Sequence, residues 1–159
     1  VKKASALQKE LRQKLPFRSH AHEGTVGLLR TADLVRRALS GIVEPHGITL
    51  QQYNVLRILR GAGDTGIPTL DIVERMLEQA PGITRLLDRL EAKKLVRRRR
   101  CPSDRRQVLC WITSAGRELL AGLDEPMLAA DGAVLGGLPG RDVQALIRIL
   151  DKIRAYHTR

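Results

Sequence analysis

Ten lysine and arginine side chains stand in the 22 residues from Arg85 to Arg106, opposed only by Asp88, Glu91 and Asp104. This stretch therefore holds seven of the chain's net +11 charges. Four of the cations, Arg97 to Arg100, are consecutive. Such a run repels itself on a free surface, and contact with phosphates relieves the repulsion. A guanidinium can pair bidentately with a phosphate or with the acceptors of a guanine edge. The charge surplus alone would also suit an anionic membrane surface or a basic protein with no polyanionic partner, so position has to decide.

Ile83, Leu86, Leu87 and Leu90 fall at i, i+3, i+4 and i+7, the spacing of a buried helix face. The helix is expected from Pro81, whose missing N–H suits a first turn, to Lys93 or Lys94. Its outer face then carries Pro81, Thr84, Arg85, Asp88 and Ala92, with Arg89 on the flank. Small residues let a helix enter the major groove, where Arg85 can read guanine and Thr84 can bond a phosphate or touch a thymine methyl. An ordinary solvated helix face has the same composition.

Two strands follow, Val96 to Arg100 and Gln107 to Ile112, joined by the turn formers Cys101-Pro102-Ser103-Asp104. Strand alternation separates Arg97 and Arg99 from Arg98 and Arg100, so the run does not all serve one groove. Some of these side chains hold phosphates and others are solvated. Asp104 can hold Arg106 as a preorganised fork, suited to a narrow A·T-rich minor groove; a plain turn aspartate is the alternative. The candidate DNA contacts are thus Pro81, Thr84, Arg85, Asp88, Arg89, Lys93, Lys94, Arg98, Arg100, Asp104, Arg105 and Arg106.

The remaining chain is read as helices that position this block. Ala4 to Lys14 suggests a short helix stopped by Pro16. Glu23 to Val43 suggests a long one, with Leu28, Leu29, Ala32, Val35, Leu39 and Ile42 on one face and Pro45 and Gly47 closing it. Thr49 with Gln52 forms a capping-box pattern before Tyr53, Leu56 and Leu59, and Gly61-Ala62-Gly63 ends that helix. Ile67-Pro68 reads as an extended link. Thr69 is expected to cap a helix running to about Gln79, with Ile72, Val73 and Met76 inward. Thr113 opens a further helix with a stripe of Leu119, Leu120, Leu123, Met127 and Leu128. After Gly136-Gly137 and Pro139-Gly140, a last helix from Asp142 to Tyr156 carries Val143, Leu146, Ile147, Leu150 and Ile153. Aromatics make up only 3% of residues, so the core must be aliphatic. The fold class is mainly α with a small β-hairpin, in the order of a winged helix-turn-helix.

The residues from Gly82 to Glu91, Gly-Ile-Thr-Arg-Leu-Leu-Asp-Arg-Leu-Glu, resemble the recognition helix of the MarR family of transcriptional regulators. Leu95-Val96-Arg97-Arg98, Asp104-Arg105-Arg106, and Ile112-Thr113 with Gly116 are similar to that family's wing and next helix, and Leu50 to Leu56 to its opening helix. The resemblance spans roughly Leu28 to Ile153. It implies a homodimer with residues 1–46 and 114–159 supplying intertwined dimerisation helices and linker. Residues 47–113 would form the winged DNA-binding unit, and Asp104 and Arg106 a wing-tip pair at the minor groove. It further implies double-stranded DNA with a near-palindromic operator as partner, and repression released by a small aromatic or phenolic effector bound between the two regions, near Leu28 to Val43. Where the family usually has glycine this chain has Lys94, so either the turn differs or lysine adopts a strained left-handed conformation there.

Other classes find less support. No nucleophile–base pair, glycine-rich phosphate loop or carboxylate pair stands out, so no enzyme or cofactor is expected. A basic RNA-binding or architectural protein would use the same arginines, but one Phe, two Tyr and one Trp leave little for base stacking; Tyr53 and Trp111 are expected in packing roles. His20, His22, His46 and His157 lack helical metal-ligand spacing, with His20-x-His22 expected in a loop, and no metal is expected. Cys101, among arginines, is the reactive-thiol candidate, while Cys110 alternates with Val108 and Ile112 as a packed hydrophobe. No apolar run approaches the ~18 residues of a membrane span, and the first fifteen residues lack an apolar signal core, so a cytoplasmic protein without membrane contact is expected.

Overall fold

The computed structural model describes residues 4–79, 81–104 and 106–158. Two compact units make up the chain, Val1–Ala38 and Leu39–Arg159.

In the first unit, helix α1 spans Ala6–Glu10, capped by Ser5 Oγ accepting the Gln8 N–H at 3.2 Å. It is shorter than the expected span because Arg12 turns to a positive φ of 50°. Helix α2 runs His20–Val43 and begins before the expected Glu23, because Ser19 Oγ accepts the His22 N–H at 3.1 Å and caps it there. His20 and His22 therefore lie in a helical first turn, not in a loop.

The second unit carries the core. The end of α2 contributes buried Val43, and a 3₁₀ turn at Glu44–His46 closes on Gly47, with φ 73°. Helix α3, Leu50–Gly61, has both halves of the Thr49–Gln52 capping box and buries Tyr53, Val55, Leu56 and Leu59. Strand β1 is Ile67–Pro68. Helix α4 is Thr69–Arg75 and buries Ile72. Helix α5 is Ile83–Ala92, strand β2 Val96–Arg100 and strand β3 Val108–Ile112. Helix α6, Ser114–Leu135, is capped by Thr113, and helix α7, Gly140–His157, follows.

Several expectations change, among them Val73, expected inward on α4 but exposed. Ile67-Pro68 is a strand, not a link: Ile67 pairs with Cys110 and Pro68 with Leu109, giving a three-stranded antiparallel sheet of order β1-β3-β2. Two residues are too few to show alternation, and a proline is tolerated because β1 is an edge. Helix α4 ends at Arg75, short of Gln79, since Met76 is extended at ψ 140° and Asn54 Oδ1 takes the Leu77 N–H at 2.9 Å. Thr69 is not the cap but the first helical residue, and its Oγ1 donates to the Val108 carbonyl at 3.3 Å, tying α4 to β3. In α6, Leu120, Leu123 and Met127 are buried as expected, but Leu128 is 65% exposed.

The core is almost wholly aliphatic, centred on Leu56, Leu59, Ile72, Leu87, Leu90, Leu120 and Leu123. Arg60 joins α3 to α6 through two parallel hydrogen bonds to Asp124, of 2.9 and 2.8 Å. Gly116 fits where a Cβ would stand 2.4 Å from the Leu95 carbonyl oxygen, so the first turn of α6 can press against the joint between α5 and β2.

Candidate nucleic-acid interface

Helix α5 is anchored by Leu87 and Leu90, both essentially inaccessible, with Ile83 and Leu86 half-buried beside them. The anchoring leaves Thr84, Arg85, Asp88 and Arg89 exposed on the other side. Pro81 is exposed too, but it lies in the turn before the helix rather than in its first turn. The reason is Gly82, the N-cap, whose φ of 95° turns the chain and delays helical geometry until Ile83.

The end of α5 is a Schellman turn. Lys94 N–H donates to the Glu91 carbonyl at 2.8 Å and Leu95 N–H to the Leu90 carbonyl at 3.0 Å. Lys94 sits at φ 59°, the left-handed position that glycine ordinarily fills. The turn is thus the one glycine would make, with lysine forced into it. Thr113 holds the same joint from the other side: its Oγ1 donates to the Lys94 carbonyl at 2.7 Å and its N–H to the Leu95 carbonyl at 3.1 Å. The Lys93 ammonium donates to the Gly47 carbonyl ahead of α3.

The four-arginine run divides by face. Arg98 lies across from Cys110 on the same side of β2 as buried Val96, turned toward α5. Its guanidinium bonds Glu91 Oε2 at 2.6 and 3.0 Å and Asp88 Oδ1 at 2.5 Å, and its backbone N–H donates to Glu91 Oε1 at 3.1 Å. The hydrogen bonds to Glu91 hold the Arg98 pKa above its usual value against the opposing effect of burial. Arg98 and Asp88, both expected to face DNA, are hydrogen-bonded to each other, with Asp88 still exposed. Side chains alternate along β2, but sequence does not show which sheet face α5 covers. Arg97, absent from the expected set, lies on the opposite face with its guanidinium 4.6 Å from the Trp111 ring centroid. Arg99 and Arg100 are exposed.

At the wing tip, Asp104 Oδ1 accepts the backbone N–H of Arg106 at 3.0 Å. The carboxylate therefore shapes the main chain of the turn and does not hold the guanidinium in a fork. Gln107 N–H donates to the Asp104 carbonyl and Cys101 N–H to the Gln107 carbonyl, each at 2.9 Å, closing the hairpin. Arg106 is exposed; Arg105 lies outside the described residues. The Cys101 thiol is pushed below its usual pKa, first by the Ser103 hydroxyl 3.1 Å away and then by backbone groups of Asp104 and Ser103, rather than by the arginines. Cys110 is fully buried, and burial pushes its pKa up.

Among the described residues, no cluster of three or more His, Cys, Asp or Glu is arranged to hold a metal ion, and no helix is long and apolar enough to cross a membrane.

Helices α3, α4 and α5 followed by the β2–β3 hairpin, with cations on the exposed side of α5 and along the hairpin, define a winged helix-turn-helix DNA-binding protein. The MarR family model matches residues 46–107. A MarR transcription factor from Planctomyces limnophilus is 38% identical, covering 85% of this chain and 98% of that one, with a TM-score of 0.67. The transcriptional regulator HosA of Escherichia coli O111:H- is 28% identical over 106 residues, 67% of this chain and 77% of HosA. BpsR of Bordetella bronchiseptica, whose DNA binding is regulated by 6-hydroxynicotinic acid, is 26% identical, with 83% and 98% of the chains covered and a TM-score of 0.74. This chain belongs to the MarR family, and it is a DNA-binding transcriptional regulator.

Proposed function

We propose that the chain acts in the cytoplasm as a homodimeric repressor, each protomer reading one half-site of a near-palindromic operator in double-stranded DNA. The carrying observation is the exposed face of α5, where Thr84, Arg85 and Arg89 project from a helix fixed by buried Leu87 and Leu90. Thr84 and Arg85 read base edges in the major groove, and Arg89 holds phosphate. Pro81 lies beside the groove entrance. Lys93, Lys94, Arg100 and Arg105 add phosphate contacts, and Arg106, on a turn shaped by Asp104, enters the minor groove.

In this reading residues 47–113 bind DNA, while 1–46 and 114–159 build the dimer. Both of those segments present apolar side chains to solvent, Leu28 and Leu29 in one and Ile147, Ile149 and Ile153 in the other. A second copy of the chain would bury such residues. BpsR responds to a hydroxylated aromatic acid. By that likeness, the effector that releases this repressor is a small aromatic or phenolic molecule.

Selection of bound duplexes from a random pool tests the reading. The expected result is a palindrome whose half-sites lie about one helical turn apart, with a dimer in sedimentation. Recovery without sequence preference, or preference for single-stranded RNA over duplex DNA, would favour the architectural or RNA-binding alternative.

A further inference from the structure

We propose that Arg98, Glu91 and Asp88 form a clasp that sets the angle between α5 and the wing, so that Arg98 is a positioning residue and not a phosphate ligand. This rests on the reading that α5 and the wing hold DNA together.

Glu91 lies in the last turn of α5 and Asp88 one turn earlier, and both side chains meet one guanidinium from the middle of β2. Glu91 also takes the Arg98 backbone N–H, so its two oxygens fix the strand by its main chain as well as by its side chain. The Arg98 side chain is only 20% exposed. To reach a phosphate it would have to break its bonds to both carboxylates, a cost reduced by their partial exposure to solvent.

The leverage explains why such a clasp matters. The chain passes from α5 to β2 through the single Schellman turn at Lys93–Leu95. From Leu95 to the hairpin turn at Cys101 is six residues, roughly 20 Å at ~3.3 Å per residue. A rotation of about 6° at the joint would move the tip by about 2 Å, enough to break a hydrogen bond. The clasp bridges helix and strand beyond that joint and resists the rotation.

Its electrostatics give the proposal a sign of its own. Asp88 and Glu91 are acids beside a surface that meets a polyanion. Removing the Glu91 charge would, by charge alone, strengthen DNA binding. Removing it from the clasp weakens binding, because the wing loses its position. Arg98→Lys separates the roles likewise. Lysine keeps the charge and can serve a phosphate, but it lacks the planar fork that spans Asp88 and Glu91.

The test uses the full chain and the duplex recovered from the random pool, with affinity measured by fluorescence anisotropy across a salt series. Glu91→Gln and Arg98→Lys are each expected to weaken binding about tenfold, equivalent to 1.4 kcal/mol, with the slope of log K against log salt unchanged. Arg98→Met is expected to leave that slope unchanged as well; a slope reduced by about one would make Arg98 a phosphate ligand and overturn the proposal. Glu91→Gln binding as well as or better than the parent chain, or Arg98→Lys binding normally, would overturn it too. Circular dichroism and thermal unfolding identify any variant that fails to fold. Should Glu91→Gln do so, Arg98→Lys still decides. If the parent chain itself selects no duplex, the DNA-reading assignment fails rather than the clasp.

Discussion

The Arg97 guanidinium lies over the Trp111 ring, 4.6 Å from its centroid, directly across the register of β2 and β3. The indole is held on its other sides as well. Its Nε1–H donates to the Asp64 carbonyl at 3.1 Å, and Asp64 is paired with Arg117 at 2.7 Å. At Gly66, with φ +69°, a Cβ would stand 2.3 Å from the ring. Arg97→Ala is expected to cost about 0.5–1 kcal/mol, the range for an exposed cation–π contact. Gly66→Ala is expected to cost about 2 kcal/mol or more, since it adds left-handed strain to a displaced ring. Denaturation followed by the lone tryptophan measures both; unchanged midpoints would mean that the stack and the close approach contribute nothing.

Lys94 occupies a left-handed position whose backbone bonds are all satisfied. Lys94→Gly removes a strain of about 1–2 kcal/mol while adding about 0.5–1 kcal/mol of unfolded-chain entropy. The net expectation is a more stable protein, by roughly 0.5–1 kcal/mol in urea unfolding. A less stable variant would show that the lysine side chain contributes more than its backbone costs.

The Arg60–Asp124 pair predicts a pH effect of definite sign. Hydrogen bonding to Arg60 lowers the Asp124 pKa from its ordinary 3.8. A depressed carboxylate adds stability that is complete above its unfolded value and is lost as pH falls through the folded one. Asp124→Asn is therefore expected to be less stable than the parent at about pH 6, with the two curves converging as pH falls through the lowered Asp124 pKa. The effect is modest, because both side chains are about a third or more exposed to solvent. Parallel curves across that range would show that the pair does not couple α3 to α6.

Much of this architecture was legible because its signals are local. The Thr49–Gln52 box, the Thr113 cap and the spacing of Ile83, Leu86, Leu87 and Leu90 each need only a few neighbouring residues. What the sequence hid depends on distant partners. Strand β1 exists because Ile67 meets Cys110 more than forty residues away. Arg98 and Arg97 are indistinguishable in an arginine run until α5 covers one face of β2 and Trp111 stands on the other. Residue types and family resemblance alike suggest an Asp104–Arg106 side-chain pairing, but the contact runs to the Arg106 backbone. An aspartate at a turn is as consistent with that geometry as with a side-chain fork.

Arg106 is exposed at a turn that Asp104 fixes through the main chain. Arg106→Ala is expected to weaken binding to the selected duplex by about 1–3 kcal/mol, with dimerisation and thermal stability intact. Gel-shift titration alongside sedimentation checks both halves. Unchanged affinity would remove the wing tip from the DNA interface.

The claim that α5 reads the bases is tested most directly by repeating the duplex selection with Arg85→Ala. The expected consensus keeps its palindromic symmetry but loses preference at one base pair per half-site, at a cost of about 1–3 kcal/mol there. An identical consensus, with affinity lowered equally for every sequence, would make Arg85 a phosphate contact and contradict the reading role assigned to α5.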